Sequence, residues 1–403
     1  MSLFNKLRTF LLMSSLFLFI FLLHILSNWW VFRVTGIRGK PNFADLDTVL
    51  NTNSCFQQIG LKLYDSTARS ACSGGGYGGY MYGVLLQYIL EFFRINAAYV
   101  QIIGISIVLL LSLTLAFIAC TYHKGETSSF FLSLLLLSSP GIWLLAERGN
   151  IDAFILFLLV LACINLSRKN DYIALIMIGI TALLKFYTLP LLLLYPLISS
   201  DRRKRTVSLI AFTVIFPIVI WNYSLVESFP SSWFVSFGSP VGFKYLETIG
   251  IILNPKVSLV LGALLVFLTA TLLQRIFIAR KIEPLNNGFP PLASRDLGDL
   301  LIMVFGATFT MCYFAGTNFD YRLTFLAIMG FGLIARVTVS QGTQKTLLAL
   351  LLMSLWCSDF FFGIRANYLY TGWQFLGDIA VGIFEALFLI AILQSNTKFR
   401  ATF

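Results

Sequence analysis

Apolar runs of roughly 17 to 25 residues, the length a helix needs to cross a bilayer, recur from one end of this chain to the other. In hydrocarbon every backbone N–H and C=O must find its partner inside the protein, so runs of this length and density leave α-helices as the spanning element. Of 403 residues, 58% are hydrophobic and only 12% charged. The chain therefore reads as an all-α polytopic membrane protein. No charged or Pro/Ser-rich linker marks off a soluble module, and residues 1–403 read as a single membrane domain.

Spans are predicted near 8–27, 97–121, 128–146, 150–167, 206–224, 258–279, 299–316, 322–338, 346–363 and 373–394. Residues 172–199 lie between the basic stretches SRKND and SSDRRKR. With both on one side, the segment must cross an even number of times, so it is read as a hairpin turning near LKFYTLP, its returning leg bent by Pro190. With the N-terminus inside, Lys6, Arg8, Lys124, Arg168, Lys169, the Arg202 to Arg205 cluster, Arg275 to Lys281, Arg295, Lys345, Lys398 and Arg400 all fall on the cytoplasmic face. The net charge of +11 is then topogenic, and it argues for no nucleic-acid partner. About twelve crossings result, ten to thirteen depending on how short broken helices are counted, with both termini cytoplasmic. The first apolar run is longer than a signal h-region and no small-residue cleavage site follows it, so it is expected to remain as a span.

The same topology gathers the unusual polar segments on the external, periplasmic face of a cell membrane: the loop that starts at 28, ERGNID, LKFYT, the loop 225–257, and GTNFDYR from Gly316 to Arg322. Arg33, Arg38 and Lys40 run against the positive-inside trend, which long loops tolerate. Residues 28–96 are read as an external loop followed by an interfacial helix, because YMYGVLLQYILEFFRIN is aromatic and amphipathic. No repeat of fixed period and no pair of broken segments typical of inverted-repeat transporters is visible.

His24 and His123 are the two histidines, one in the first span and one on the cytoplasmic side, which makes a His-based metal centre or a Ser-His-Asp triad improbable. Cys120, Cys163, Cys312 and Cys357 lie in spans and read as small apolar packers. Cys55 and Cys72 share the external loop and are candidates for a disulfide on an oxidising face. CSGGGYGGYMYG lacks the Lys-Ser/Thr of a phosphate-binding P-loop and reads as a flexible turn, although its tyrosines could also cover a substrate.

The external chemistry must then come from carboxylates, amides and cations. Asp45 and Asp47, in NFADLDTVLN, stand where a carboxylate could accept a proton from a hydroxyl at the membrane surface; the alternative is that one of them caps a short helix beginning at TVLN. In LLAERGNIDAFILF, Arg148 and Asp152 are four apart, so a continuous helix would pair them internally, with Asp152 holding Arg148 in place. Against that simple neutralisation, a charge at the centre of a span costs ~2.5 to 3.5 kcal/mol, and such residues tend to line cavities. Lys185 with Tyr187, and Asn318, Asp320, Tyr321 and Arg322, form two more polar junctions on the same face. Three cation-bearing junctions point to a shared anionic ligand, since arginine's fork suits phosphate oxygens and lysine adds a point charge. Snorkelling to the interface is the alternative for any one of them.

The block ERGNIDAFILFLLVLACINLSRKNDYIALIMIGITALLKFYTLPLLLLYPL resembles the central part of bacterial polyprenol-phosphate-sugar-dependent, mannosyltransferase-like membrane proteins of the GT-C class. In those proteins an Arg-Gly-Asn/Gln-x-Asp/Asn segment precedes a span and an LLK-aromatic-Tyr-x-x-Pro segment follows it. The matching positions are Arg148, Gly149, Asn150, Asp152, Lys185 and Tyr187. ADLD is similar in position to the GT-C catalytic loop, and YMYG and GTNFDYR also resemble segments of these proteins. The loop between Asp47 and the next span matches no one subfamily, which leaves sugar and acceptor open.

The resemblance implies an inverting glycosyltransferase that uses a polyprenyl-phosphate sugar and a lipid or glycan acceptor on the external face. Asp45, with Asp47 second, would be the base. Arg148, Lys185 and Arg322 would neutralise the phosphate, and Asn150, Asn318 and Tyr321 would orient sugar or phosphate oxygens. A divalent cation bridging an Asp and the phosphate is compatible with this set, and nothing in the sequence specifies one. Two competing readings share the need for cations near a lipid phosphate: a flippase for a lipid-linked saccharide, and a polymerase or ligase of polyprenol-diphosphate-linked glycans.

Overall fold

A computed structural model describes residues 3–26, 43–65, 82–122, 127–199, 201–224, 236–237, 254–279, 294–314, 318–337, 343–357 and 372–401. Among them the chain forms fifteen α-helices. These are α1 (Leu3–Leu26), α2 (Ala44–Ile59), α3 (Val84–Phe92), α4 (Val100–Tyr122), α5 (Thr127–Leu137), α6 (Pro140–Arg148), α7 (Asp152–Ser167), α8 (Asp171–Leu184), α9 (Leu191–Ile198), α10 (Arg202–Tyr223), α11 (Pro255–Ala279), α12 (Leu297–Phe314), α13 (Thr324–Val337), α14 (Thr343–Cys357) and α15 (Gly372–Ala401). A two-residue antiparallel pair, Ser236–Phe237 with Asn318–Phe319, is the one sheet-like feature described.

Burial sorts the helices. The span of α12 is 72% buried, apolar on every side, and stands at the centre with α13, whereas that of α10 is 17% buried and turns most of its apolar surface outward. A helix apolar all round is accounted for by burial in the first case and by lipid in the second. Three helices are long and apolar enough to cross a membrane, and the pair α5 and α6 passes the same test if counted as one span. Seven other apolar helices are 10–17 residues long, so length alone does not reach twelve crossings among the described residues.

The shortening has local causes. The predicted span 128–146 is broken at Ser138 and Ser139, and its halves are bent by 41° where Pro140 starts α6. Gly149, with φ +59°, ends α6 in the left-handed conformation that glycine adopts without steric penalty. The apolar stretch 172–199 breaks at Lys185 into α8, a 3₁₀ turn at Phe186–Thr188, and α9. It also returns to its starting end. Asp171, the first residue of α8, meets Lys204, in the first turn of α10, at 2.5 Å. That closure agrees with the hairpin expected from the flanking basic clusters.

The stretch expected to lie in the interface contains a helix, α3, which buries Val84, Leu86, Gln87 and Leu90 and exposes Tyr88 and Phe92. It is docked by one amide. Asn222 of α10 accepts the Leu85 N–H at 2.7 Å and donates to the carbonyl of Leu183 at 3.0 Å, so α3 and the end of α8 are held in register by the same side chain.

Candidate active site

Three breaks in helical structure bring polar side chains to one end of α7. The first precedes α2. Phe43 sits in the left-handed region (φ 63°, ψ 44°), 1% exposed, with its N–H donating to the carbonyl of Glu147 at 3.1 Å. A bulky residue adopts that conformation only where packing over-determines it. Here the ring fills a notch cut by two glycines: a Cβ at Gly104 would lie 2.3 Å from it, and one at Gly149 2.9 Å from the Phe43 Cβ. The strained residue thus locks the start of α2 against the end of α6.

Helix α2 begins at Ala44, earlier than the TVLN start, and no side chain caps it. Neither Asp45 nor Asp47 is an N-cap. Both stand inside the first turn, where a carboxylate opposes the helix dipole favourably. The inward face of α2 carries Leu46, Val49, Leu50, Asn53 and Phe56, at helical spacing. Asp45 is directed to the end of α6, while Asp47, two residues on and on another face, has no side-chain hydrogen bond or ion pair with a described residue.

The second break is Gly149. Because the helix stops there, Arg148 and Asp152 do not share a face, and the internal pair expected between them does not form. Arg148 instead brackets one oxygen of Asp45: its Nε donates to Oδ1 at 2.7 Å and its Nη2 at 2.6 Å. Asn150, wholly buried, uses both ends of its amide. Its Nδ2 donates to the other Asp45 oxygen at 2.6 Å and to the Tyr82 hydroxyl at 3.2 Å, while its Oδ1 accepts the Asp152 N–H at 3.0 Å and so opens α7.

The third break is Lys185. Asp152, 1% exposed at the head of α7, faces Lys185 and, from 170 residues further along, Arg322. The Arg322 Nε donates to Oδ2 at 3.1 Å; the Lys185 Nζ stands 3.8 Å from Oδ1, beyond hydrogen-bonding distance. Each cation also lies over an aromatic ring, Lys185 at 3.9 Å from the centroid of Tyr82 and Arg322 at 5.2 Å from that of Tyr187. Asp152 Oδ1 and the Tyr187 hydroxyl are buried with no hydrogen-bond partner among the described residues. Burial pulls the Lys185 ammonium, at the break between two helices, down to about 8; Asp152 opposes that shift and Arg322 adds to it.

Asp45, Arg148, Asn150, Asp152, Lys185, Tyr187 and Arg322 therefore come together. Asn318, Asp320 and Tyr321 belong by backbone to the short strand and 3₁₀ turn that deliver Arg322, and their side chains lie outside the described residues. Cys55 is buried and disulfide-bonded; Cys72 lies outside the described residues. Cys120, Cys163 and Cys312 are buried thiols, in keeping with the packing role expected of them, while Cys357 is half-buried at the end of α14. Among the described residues no group of three His, Cys, Asp or Glu side chains is placed to hold a metal ion.

Two polar residues escaped the sequence reading. Tyr82 joins Asn150 to Lys185, and its signal was the YMYG segment. Glu385 is wholly buried in α15 and accepts the Thr310 hydroxyl at 2.8 Å. An isolated carboxylate in a span was its only signal.

The cluster sets three cations around two carboxylates at helix ends, a charge arrangement that suits an anion such as phosphate. The fold is that of a helical protein with helices apolar enough to cross a membrane, and the cluster lies at one end of α7. Residues 82–248 match the family model of glycosyltransferase family 87, consistent with the resemblance to GT-C-like membrane glycosyltransferases. The match contains Tyr82, Arg148, Asn150, Asp152, Lys185 and Tyr187 and leaves out Asp45 and Arg322. No curated protein and no solved structure matches the chain.

Proposed function

We propose that the protein is an inverting glycosyltransferase that moves a sugar from a polyprenyl-phosphate donor to a hydroxyl of a lipid or glycan acceptor. The observation that carries the reading is the gathering, at one end of α7, of a partly accessible carboxylate, Asp45, paired with Arg148, and of Lys185 and Arg322 around the neighbouring Asp152. A phosphate leaving group needs the cations, and an attacking hydroxyl needs the carboxylate.

The acceptor oxygen forms a bond to the anomeric carbon as the bond from that carbon to the phosphate oxygen breaks. The hydroxyl proton passes to Asp45, and the electron pair leaves with the phosphate, held by Arg148, Lys185 and Arg322. A single displacement of this kind inverts the anomeric centre. In the ligand-free protein Asp45 accepts three N–H bonds from Arg148 and Asn150, so the donor phosphate must draw Arg148 away before Asp45 can take a proton. Asp45 is then a base only when the donor is in place, which limits wasteful hydrolysis of the donor.

The membrane topology is part of the proposal: about twelve crossings, both termini cytoplasmic, and the Asp45 site on the external face. It is supported by the meeting of Lys204 and Arg295 at the other end of α7, a helix about 24 Å long.

The test is incubation of purified protein with radiolabelled polyprenyl-phosphate sugars and a membrane lipid extract. Label is expected to move to a new product, and Arg148→Ala is expected to weaken donor binding by about 10- to 100-fold, the worth of a charge-assisted bond. Absence of transfer from every monophosphate donor, with movement of a lipid-linked glycan between leaflets, would replace the transferase by a flippase.

A further inference from the structure

Tyr82 belongs to a tyrosine- and glycine-rich segment to which the reaction assigns no task, yet it touches both halves of the site. Its ring lies under the Lys185 ammonium at 3.9 Å, and its hydroxyl accepts from Asn150, the residue whose same Nδ2 binds Asp45. Its own backbone is held: the Tyr64 hydroxyl donates to the Tyr82 carbonyl at 3.2 Å. Three residues on, Asn222 binds the Leu85 N–H and, with its other end, the carbonyl of Leu183, two residues before Lys185. The Tyr223 hydroxyl adds a bond to the Leu184 carbonyl at 2.7 Å. Ring and ammonium are thus placed against each other by adjacent residues of one helix, α10. At Gly83 a Cβ would lie 2.2 Å from the Asn222 amide, so the backbone beside Tyr82 has no room to shift.

Resting on the proposed transferase reading, we propose that Tyr82 is a positioning residue: its ring face holds the Lys185 ammonium at the phosphate position, and its hydroxyl couples that ammonium to the Asn150 and Asp45 arm. The physical need is plain. Lys185 has a flexible four-carbon stem, and its ammonium approaches Asp152 only to 3.8 Å, beyond hydrogen-bonding distance. An aromatic face restrains a buried cation without neutralising it, so the charge stays available to an incoming phosphate. When the phosphate enters, Lys185 exchanges Asp152 for it and keeps the ring. The hydroxyl then reports the state of Asn150 to the same ring, which ties occupation of the phosphate position to the carboxylate that must act.

The first measurement does not depend on catalysis. Full-length protein labelled with [ε-¹³C]lysine in detergent micelles is examined by NMR, with the Lys185 signal assigned by its loss in Lys185→Arg. In the wild type the ε-methylene protons are expected upfield, shifted by the ring current, and to titrate near pH 8. Tyr82→Phe keeps the upfield position. Tyr82→Leu returns it to the ordinary lysine range and moves the titration to lower pH, because the ring no longer favours the charged form. An unmoved Lys185 signal in Tyr82→Leu, or loss of the upfield position in Tyr82→Phe, overturns the proposal.

The second measurement is kinetic: Tyr82→Leu should raise the donor KM about tenfold with little change in kcat, and Tyr82→Phe should restore most of that loss. If the NMR result is as expected while the donor KM does not move, Tyr82 holds Lys185 but Lys185 does not hold phosphate, and the failure falls on the transferase reading instead.

Discussion

Asp152 and Asp171 stand at opposite ends of the α7 region and look alike in composition: each is a carboxylate at most 1% exposed that faces one lysine and one arginine. They differ in closure. Lys204 and Arg295 each reach Asp171 at 2.5 Å, one on each oxygen, and Arg295 spends a further donor on the Leu166 carbonyl at 3.1 Å. Among the described residues one Asp152 oxygen has no hydrogen bond, its lysine rests on a tyrosine ring, and its arginine lies over another. A buried charge pair stabilises a fold when its hydrogen bonds are all made. The Asp171 cluster meets that condition and ties the starts of α8 and α10 and the segment before α12 together. The Asp152 cluster does not meet it among the described residues, and under the proposed function its lysine and arginine face the donor phosphate.

The sharpest way to break the comparison is to remove the carboxylate proposed to do chemistry. Asp45→Asn should lower glycosyl transfer by about 10²- to 10⁴-fold, the range for loss of a general base, with donor binding retained. Near-normal turnover would remove Asp45 from the mechanism, and Asp47→Asn then becomes the variant to assay. Next in size, Asp171→Ala should cost about 3 kcal/mol of stability, the low end for one partner of a buried pair, because Lys204 and Arg295 keep 23% and 25% exposure. Thermal unfolding in detergent should show it, while the folded fraction retains its donor KM; a changed KM with unchanged stability would make the two clusters equivalent.

The smallest effect is in pH. A lysine held down to about 8 is charged below that value and neutral above it, so donor affinity should fall as pH rises through about 8. Lys185→Arg, charged throughout, should flatten that limb; a limb that persists in the variant would assign it to another group.

Much of this cluster is legible in the sequence. Arg148, Asn150, Asp152, Lys185 and Arg322 announce themselves because ionisable and amide groups interrupt runs of hydrocarbon, and the positive-inside pattern sends their segments to one face. The pairing was not visible. Arg148 and Asp152 suggested a helical i, i+4 pair, and only the left-handed Gly149 shows why Arg148 turns to Asp45 instead. The sequence places Asp45 before Asp47 as the base without a geometric reason, and the start of α2 at Ala44 supplies one by aiming the two to different faces. Tyr82 could be noticed but not placed, since its place depends on Asn222 and Tyr223, some 140 residues away.

Composition and hydropathy by themselves determined that the chain is helical and built for a membrane, and the position of charges within apolar runs determined which residues had to find polar company. Those are properties of single segments, set by what hydrocarbon tolerates. Which carboxylate meets which cation was decided only by the tertiary structure. Helix breaks at Phe43, Gly149 and Lys185 set the directions of side chains that are 103, 105 and 170 residues from their partners, and no local period carries that information.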